Sequence, residues 1–213
     1  MRLKIVLRYI FIHGLGQSPS NWEKTVSYLD QSIQVNCPDL FALCKDQKKS
    51  YQNLYKAFKE FCDEISGPIN LCGISLGAII AMNYAINHPR KVKSLVLIAP
   101  QYKMPRILLK IQNTIFFFIS KSYFKQFGIQ KTDIIQLTNS MVDLDFSDNL
   151  NNITCPTLII CGTKDYANKK ATKSLAHNLL NASAHFIVNT GHEVNVKAPK
   201  ALATILNSFY SKR

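Results

Sequence analysis

Gly73-Ile74-Ser75-Leu76-Gly77 joins the apolar run Ile69 to Cys72 to a second apolar run, Ala78 to Ile86. The first run has the length of a strand and the second that of a helix, so the pentapeptide predicts a sharp strand-to-helix turn with Ser75 at its apex. Only glycine fits two residues before and two residues after such an apex, because the chain reverses tightly there. The alternative interpretation is a serine that caps a helix between two glycines.

A serine hydroxyl needs a neighbouring base, itself oriented by an acid, to become a nucleophile, and the C-terminal third offers both groups. A buried-strand pattern from Pro156 to Gly162 is followed by Asp165. A second strand pattern, from His185 to Val188, is followed by His192. Ser75, Asp165 and His192 thus occur in the chain order of a serine triad built on loops at the carboxyl edge of a parallel sheet. Rival candidates for the acid are Asp143, Asp145 and Asp148.

Four short motifs together resemble those of the α/β-hydrolase family, over about residues 5 to 208. They are His13-Gly14-Leu15-Gly16, Gly73-Ile74-Ser75-Leu76-Gly77, Gly162-Thr163-Lys164-Asp165 and Gly191-His192. The resemblance implies that Ser75 is the nucleophile, Asp165 the acid and His192 the general base. It also implies that the backbone N–H groups of Leu15 and Leu76 form the oxyanion hole. We expect His13 to be a structural histidine that bonds backbone near this loop.

Strand and helix patterns alternate along the chain, which predicts an α/β fold with a doubly wound, mostly parallel sheet and helices on both faces. The predicted strands are Lys4 to Ile12, Ile33 to Cys37, Ile69 to Cys72, Val92 to Ile98, Thr157 to Cys161 and His185 to Val188. The predicted helices are Asn21 to Leu29, Tyr51 to Ile65, Ala78 to Ile86, Lys169 to Leu179 and Pro199 to Tyr210. About a dozen residues precede His13, too few for the family's opening hairpin, so we expect a trimmed sheet edge.

No repeat, linker or low-complexity tract divides the 213 residues, so we predict one domain, 1–213, with a short helical cap inserted at about residues 101–147. The apolar run from 107 to 119 in this cap is shorter than the about 20 residues that span a membrane. We expect Ile111, Phe116 and Phe117 to line the substrate pocket. The basic residues around the run would face an acidic partner or a membrane surface in one interpretation, and only water in the other. These residues are Lys103, Arg106, Lys110, Lys121 and Lys125.

A net charge of +13 is typical of proteins that bind an acidic partner, such as a nucleic acid, an anionic lipid or an acidic protein. The basic residues are scattered and accompany no nucleic-acid motif, so we expect no nucleic-acid binding. The resemblance to the α/β-hydrolase family implies an acyl carrier protein as the acidic partner, because esterases and thioesterases of this fold include ones that remove acyl groups from it. Contact with a membrane surface is the less favoured alternative.

The six cysteines form no C-x-x-C pair and have no histidine at ligand spacing. We therefore predict free thiols, a cytoplasmic location, and neither a metal nor another cofactor. The first dozen residues contain Arg2, Lys4 and Arg8 and no small-residue cleavage site, so they predict a first strand rather than a signal peptide.

We predict a serine hydrolase that cleaves a carboxylic ester or thioester through an acyl-enzyme intermediate. The apolar cap favours an apolar acyl or alcohol group. Acyl transfer, haloperoxidation and carbon–carbon cleavage are alternative chemistries for the same serine on this fold. A different class of alternative is a ligand-binding or partner-binding protein that keeps the hydrolase pocket without turnover.

Overall fold

The computed structural model describes residues 8–45, 47–105 and 130–212. The chain divides into two compact units. The first comprises the described residues up to Pro38, Ser66–Gln101 and the described residues from Asn149 onward. The second comprises those of Asp39–Ile65 and Tyr102–Asp148. The single-domain organisation with a cap at about residues 101–147 stays a prediction.

The first unit is built on a six-stranded sheet in which every described strand pair is parallel. Its strands are β1 (Arg8–Ile12), β2 (Val35–Asn36), β3 (Ile69–Ile74), β4 (Val92–Ile98), β5 (Thr157–Gly162) and β6 (Ala182–Ile187). Their spatial order is β2-β1-β3-β4-β5-β6. The chain moves outward from β1 to β2 and then crosses back to β3, so the sheet is doubly wound, as the sequence predicts.

Helices alternate with these strands in the described parts of the chain. They are α1 (Glu23–Val26), α2 (Leu40–Leu43), α3 (Tyr51–Asp63), α4 (Leu76–Asn87), α5 (Lys131–Met141), α6 (Tyr166–Asn178), α7 (Val194–Lys197) and α8 (Pro199–Tyr210). Two 3₁₀ segments, Pro19–Trp22 and Ser147–Asn152, complete the regular structure of the described residues.

The sheet of the first unit is covered by helices on both faces. Helix α4 lies against β1, β3 and β4, and α6 lies against β5 and β6. Nearly every residue of α4 is apolar and buried, which is typical of a helix packed on several sides. On the other face, alternate strand residues such as Phe11 and Ile74 form a buried cluster with Leu202 and Leu206 of α8. Trp22 packs edge-on against Phe11, with ring centroids 5.0 Å apart.

Several predicted boundaries were wrong. The helix predicted from Asn21 to Leu29 is the 3₁₀ segment Pro19–Trp22 followed by the short α1. Strand β6 begins at Ala182, three residues before the prediction, because pairing with β5 places it there. Its residues Ser183 to His185 are exposed at the sheet edge, so no apolar pattern marks them. Residues 4–7 of the first predicted strand lie outside the described residues.

In the second unit, α3 packs against both α2 and α5. The backbone N–H of Tyr51 donates to Ser140 Oγ at 2.8 Å, and Gln136 Nε2 donates to the Lys49 carbonyl at 3.1 Å. The sequence analysis missed α5, whose residues are largely polar. The predicted pocket residues Ile111, Phe116 and Phe117, and the basic residues Arg106, Lys110, Lys121 and Lys125, lie outside the described residues.

Candidate active site

Ser75 lies at the turn between β3 and α4 with a φ of 54°, a conformation that residues with a side chain rarely adopt. Its N–H donates to the Ile98 carbonyl at 2.9 Å, which ties the turn to β4. A Cβ on Gly73 would lie 2.2 Å from the Gly77 carbonyl oxygen, and one on Gly77 would lie 2.3 Å from that of Ile12. The predicted need for glycine at both positions is therefore confirmed. The Ser75 side chain makes no capping hydrogen bond to the described α4, against the alternative interpretation.

Asp165 and His192 come together beyond the carboxyl ends of β5 and β6. His192 Nδ1 donates a hydrogen bond to Asp165 Oδ2 at 2.8 Å. The Asp165 side chain is 5% exposed, whereas that of His192 is 43% exposed. The buried carboxylate thus holds one edge of the imidazole, and much of the remaining ring stays accessible. This is the arrangement that orients a histidine to act as a base.

Asn168, the third residue of α6, is a residue of the candidate site that the sequence analysis missed. Its Nδ2 lies 2.9 Å from each carboxylate oxygen of Asp165 and 3.1 Å from His192 Nδ1. Gln101 Nε2 in turn donates to Asn168 Oδ1 at 2.8 Å. Asn168 stands three residues after Asp165, and that spacing on a helix is the one local signal that would have suggested the contact.

Two opposing effects set the acidity of Asp165. Burial raises the pKa of its carboxyl group, but the hydrogen bonds from His192 and Asn168 lower it by more. Its pKa in the folded protein therefore lies below the ordinary value of 3.8. The unfolded chain then binds more protons in acid than the folded chain does. The stabilisation from ionised Asp165 is complete above the ordinary value and is lost as the pH falls through the folded-state pKa.

Replacing Asn168 with alanine is expected to lower the free energy of unfolding by about 1.5 to 3 kcal/mol at pH 7, because the buried Asp165 carboxylate loses one of its donors. The loss should shrink as the pH falls below 3.8 and Asp165 begins to bind a proton. Urea unfolding of wild type and variant at pH 7 and pH 3 measures both values. The control is Asn178→Ala, an exposed asparagine of the same helix, for which we expect a small effect at both pH values. A loss that does not depend on pH would contradict this account of Asp165.

The rival acid Asp145 is engaged in the second unit. Lys103 Nζ lies 2.8 Å from its Oδ2, and the Ser147 N–H donates to its Oδ1 at 3.0 Å. The hydrogen bond from Lys103, followed by those from Ser147, lowers the pKa of Asp145 well below its usual range. The structure thus gives Asp145 a cationic partner and Asp165 a histidine.

The loop after β1 lies beside the serine. His13 is fully buried, and its Nδ1 donates to the Gly14 carbonyl at 2.9 Å, which confirms its structural role at this turn. A Cβ on Gly14 would lie 3.3 Å from Ser75 Cβ, so this loop and the serine turn are close neighbours. Within the described residues, the N–H groups of Leu15 and Leu76 make no hydrogen bond to the protein, which leaves both available to an oxyanion. No hydrogen bond joins Ser75 Oγ to His192 in these ranges.

The sequence matches the model of a known protein family. The family model described as alpha/beta hydrolase fold matches residues 10–144, more than half of the chain. The chain belongs to the α/β-hydrolase family. The six parallel strands and the glycine-flanked serine turn agree with this membership.

Individual α/β-hydrolase relatives are distant but cover most of the chain. An (E)-2-((N-methylformamido)methylene)succinate hydrolase of Acinetobacter baylyi is 21% identical over 90% of this chain and 85% of its own length. Monoacylglycerol lipase abhd6-B of Xenopus laevis is 21% identical over 95% of this chain and 74% of its own. A solved hydrolase from Pseudomonas aeruginosa PA01 has a TM-score of 0.79 and 16% identity, over 95% of this chain and 89% of that one. The matches indicate a hydrolase.

The described ranges contain neither a membrane-spanning helix nor a metal-binding cluster. Crossing a bilayer takes about 20 apolar residues, and none of the helices in these ranges meets that requirement. These residues also bring together no group of three His, Cys, Asp or Glu side chains suited to a metal ion. All six cysteines are free thiols, five of them buried, as the sequence predicts.

Proposed function

We propose that this α/β-hydrolase cleaves a carboxylic ester or thioester through an acyl-enzyme intermediate on Ser75. The observation that carries the proposal is the 2.8 Å hydrogen bond between His192 and the buried Asp165. Both residues follow strands that run parallel to β3, whose carboxyl end leads into Ser75. The nucleophile, the base and the acid therefore belong to one edge of one sheet.

In the proposed acylation step, Ser75 Oγ attacks the substrate carbonyl carbon and His192 accepts the hydroxyl proton. The free N–H groups of Leu15 and Leu76 receive the negative charge that develops on the carbonyl oxygen. Asp165 stays ionised and stabilises the imidazolium that forms. The imidazolium then protonates the departing alcohol or thiol, and the acyl group remains on Ser75. Water, deprotonated by His192, attacks the acyl carbon. The bond between that carbon and Ser75 Oγ then breaks, His192 returns the proton to Oγ, and the acid is released.

One consideration favours an ester as substrate, and another favours an apolar acyl chain. One curated relative is named a monoacylglycerol lipase, and glycerol esters are acyl esters of the proposed class. The apolar residues of the predicted cap favour an apolar acyl chain, as proposed from composition alone. An acyl carrier protein remains the proposed acidic partner, because esterases and thioesterases of the α/β-hydrolase fold include ones that remove acyl groups from it.

A fluorophosphonate tests the proposal directly, because it reacts with an activated serine. We expect intact-mass spectrometry to show one adduct on the wild type and none on Ser75→Ala. The buried cysteines should not compete; burial, for example, raises the pKa of Cys161 to about 11 and keeps its thiol neutral. Labelling of Ser75→Ala at the same rate would contradict the assignment of the nucleophile.

The substrate class is then tested with p-nitrophenyl esters of increasing acyl length and with thioesters of the same acyl groups. We expect turnover of at least one series by the wild type and none above background by Ser75→Ala. Stoichiometric ligand retention without turnover, unchanged in Ser75→Ala, would instead support the binding-protein alternative.

A further inference from the structure

Two buried side-chain amides, Gln17 and Asn195, pair reciprocally across 178 residues of sequence. Gln17 Nε2 donates to Asn195 Oδ1 at 3.3 Å, and Asn195 Nδ2 donates to Gln17 Oε1 at 3.2 Å. Gln17 is 8% exposed and Asn195 is 0% exposed. Burying an amide without a hydrogen-bond partner costs free energy, so the two side chains are stable here only in a geometry that keeps their hydrogen bonds.

The remaining hydrogen-bonding capacity of the pair is used on both sides. Gln17 Oε1 also accepts from the Gly14 N–H at 3.3 Å, and Gln17 Nε2 also donates to Glu193 Oε1 at 3.2 Å. Asn195 Nδ2 also donates to the Asn21 carbonyl at 3.3 Å. All four amide hydrogens of the two side chains therefore have acceptors. A fully connected buried network of this kind rigidifies what it joins.

The network joins the loop that carries Leu15 to the loop that carries His192. The proposed mechanism requires these two loops to keep a fixed relative position. Gly14 lies directly before Leu15, whose N–H is a proposed oxyanion donor, and Glu193 lies directly after His192. The Thr25 hydroxyl donates to the Asn195 carbonyl at 2.9 Å, which anchors the same site to α1. A shift of one loop against the other would therefore strain several buried hydrogen bonds at once.

We propose that the Gln17–Asn195 pair is a positioning device that sets the oxyanion loop, residues 13–17, against the histidine loop, residues 191–193, which leads into Asn195 of α7. This inference rests on the proposed function, because the roles of the two loops, to supply the oxyanion donor and the general base, come from the proposed mechanism. Neither amide touches the reacting atoms; the pair acts through Leu15 and His192. Displacements of about 1 Å in such groups reduce rates by about 100-fold.

The test compares Asn195→Ala and Gln17→Ala with Asn207→Ala. Asn207 also joins distant parts of the chain with two hydrogen bonds, to the Asp30 N–H and the Tyr28 carbonyl, each 3.1 Å long. It contacts neither active-site loop through these bonds, so it controls for a purely structural loss. We expect Asn195→Ala and Gln17→Ala each to lower kcat and the fluorophosphonate labelling rate by about 10- to 100-fold, with little change in KM. Asn207→Ala should retain both rates.

The double variant Gln17→Ala/Asn195→Ala should have nearly the same kcat and labelling rate as either single variant. Each single substitution already breaks the same pair, so the two effects should not add. If one single variant does not fold, the other still tests the inference. Wild-type rates in the folded Asn195→Ala and Gln17→Ala variants would overturn the positioning role while leaving the proposed function intact.

Hydrogen exchange separates this inference from the proposed function. We expect the Gly14 amide to exchange at least about 10-fold faster in Asn195→Ala than in the wild type, because the bond to Gln17 loses its support. A wild type that fails to label or turn over any ester would overturn the proposed function. Faster exchange at Gly14 would then still support the coupling of the two loops, and unchanged exchange would overturn it.

Discussion

Replacing Asp165 with asparagine is expected to lower kcat by about 10⁴-fold with little change in KM. Asn168 Nδ2 donates to both carboxylate oxygens of Asp165, and His192 Nδ1 donates to Oδ2. In the Asp165→Asn variant, Asn168 would bond the amide oxygen of the new side chain, which leaves the new NH₂ group facing His192 Nδ1. That NH₂ would donate to Nδ1 and force the imidazole proton onto Nε2, the nitrogen that must accept the Ser75 proton.

Steady-state kinetics on a short-chain p-nitrophenyl ester measures this effect. The matched control is Asp145→Asn, the same exchange at a rival acid whose partner is Lys103. We expect the control to retain activity within a factor of about two to three. A large loss in Asp145→Asn together with a small loss in Asp165→Asn would reverse the assignment of the acid.

Replacing Gly162 with alanine is expected to lower the free energy of unfolding by about 3 kcal/mol or more. A Cβ at this position would lie 2.1 Å from the Thr190 carbonyl oxygen and 2.2 Å from that of Gly191. Both obstacles are backbone atoms, so no side-chain rotation relieves the overlap. The end of β5 and the turn before His192 would have to separate, and activity should fall with stability.

Gly191→Ala is the control for this prediction, because a Cβ on Gly191 would meet nothing within 4 Å. We expect its unfolding free energy to stay within about 1 kcal/mol of the wild type. Urea denaturation of the two variants measures the difference. Equal stabilities would show that the close approach of β5 to the turn does not constrain the fold.

Much of the fold was predictable from local patterns. Strand β4 and helix α8 have the predicted bounds, Val92–Ile98 and Pro199–Tyr210, because each is a clear apolar or amphipathic run. Edge elements were harder to predict. The exposed β6 and the two-residue β2 acquire their bounds from pairing with a neighbour, which leaves little trace in their own residues.

Some residues of the candidate site were likewise predictable from the sequence, and others were not. The positions of Ser75, Asp165 and His192 on loops after strands followed from motif spacing, and the structure places Asp165 and His192 in contact. Asn168 and Gln101 were missed: only the three-residue spacing from Asp165 hinted at Asn168, and no local pattern marks Gln101, which bonds Asn168 from a distant part of the chain. The roles of the triad residues remain predictions for the experiments above.

The sequence by itself determined the kind and order of the elements, the glycine-flanked serine turn and the chain order of the candidate triad. These are local properties, set by the length of apolar runs and by the space that glycine leaves at a tight turn. Only the tertiary structure decided the strand order, the carboxylate that His192 bonds and the buried Gln17–Asn195 pair. Polar partners 178 residues apart meet only after the sheet has brought their loops together, and no local pattern encodes that meeting.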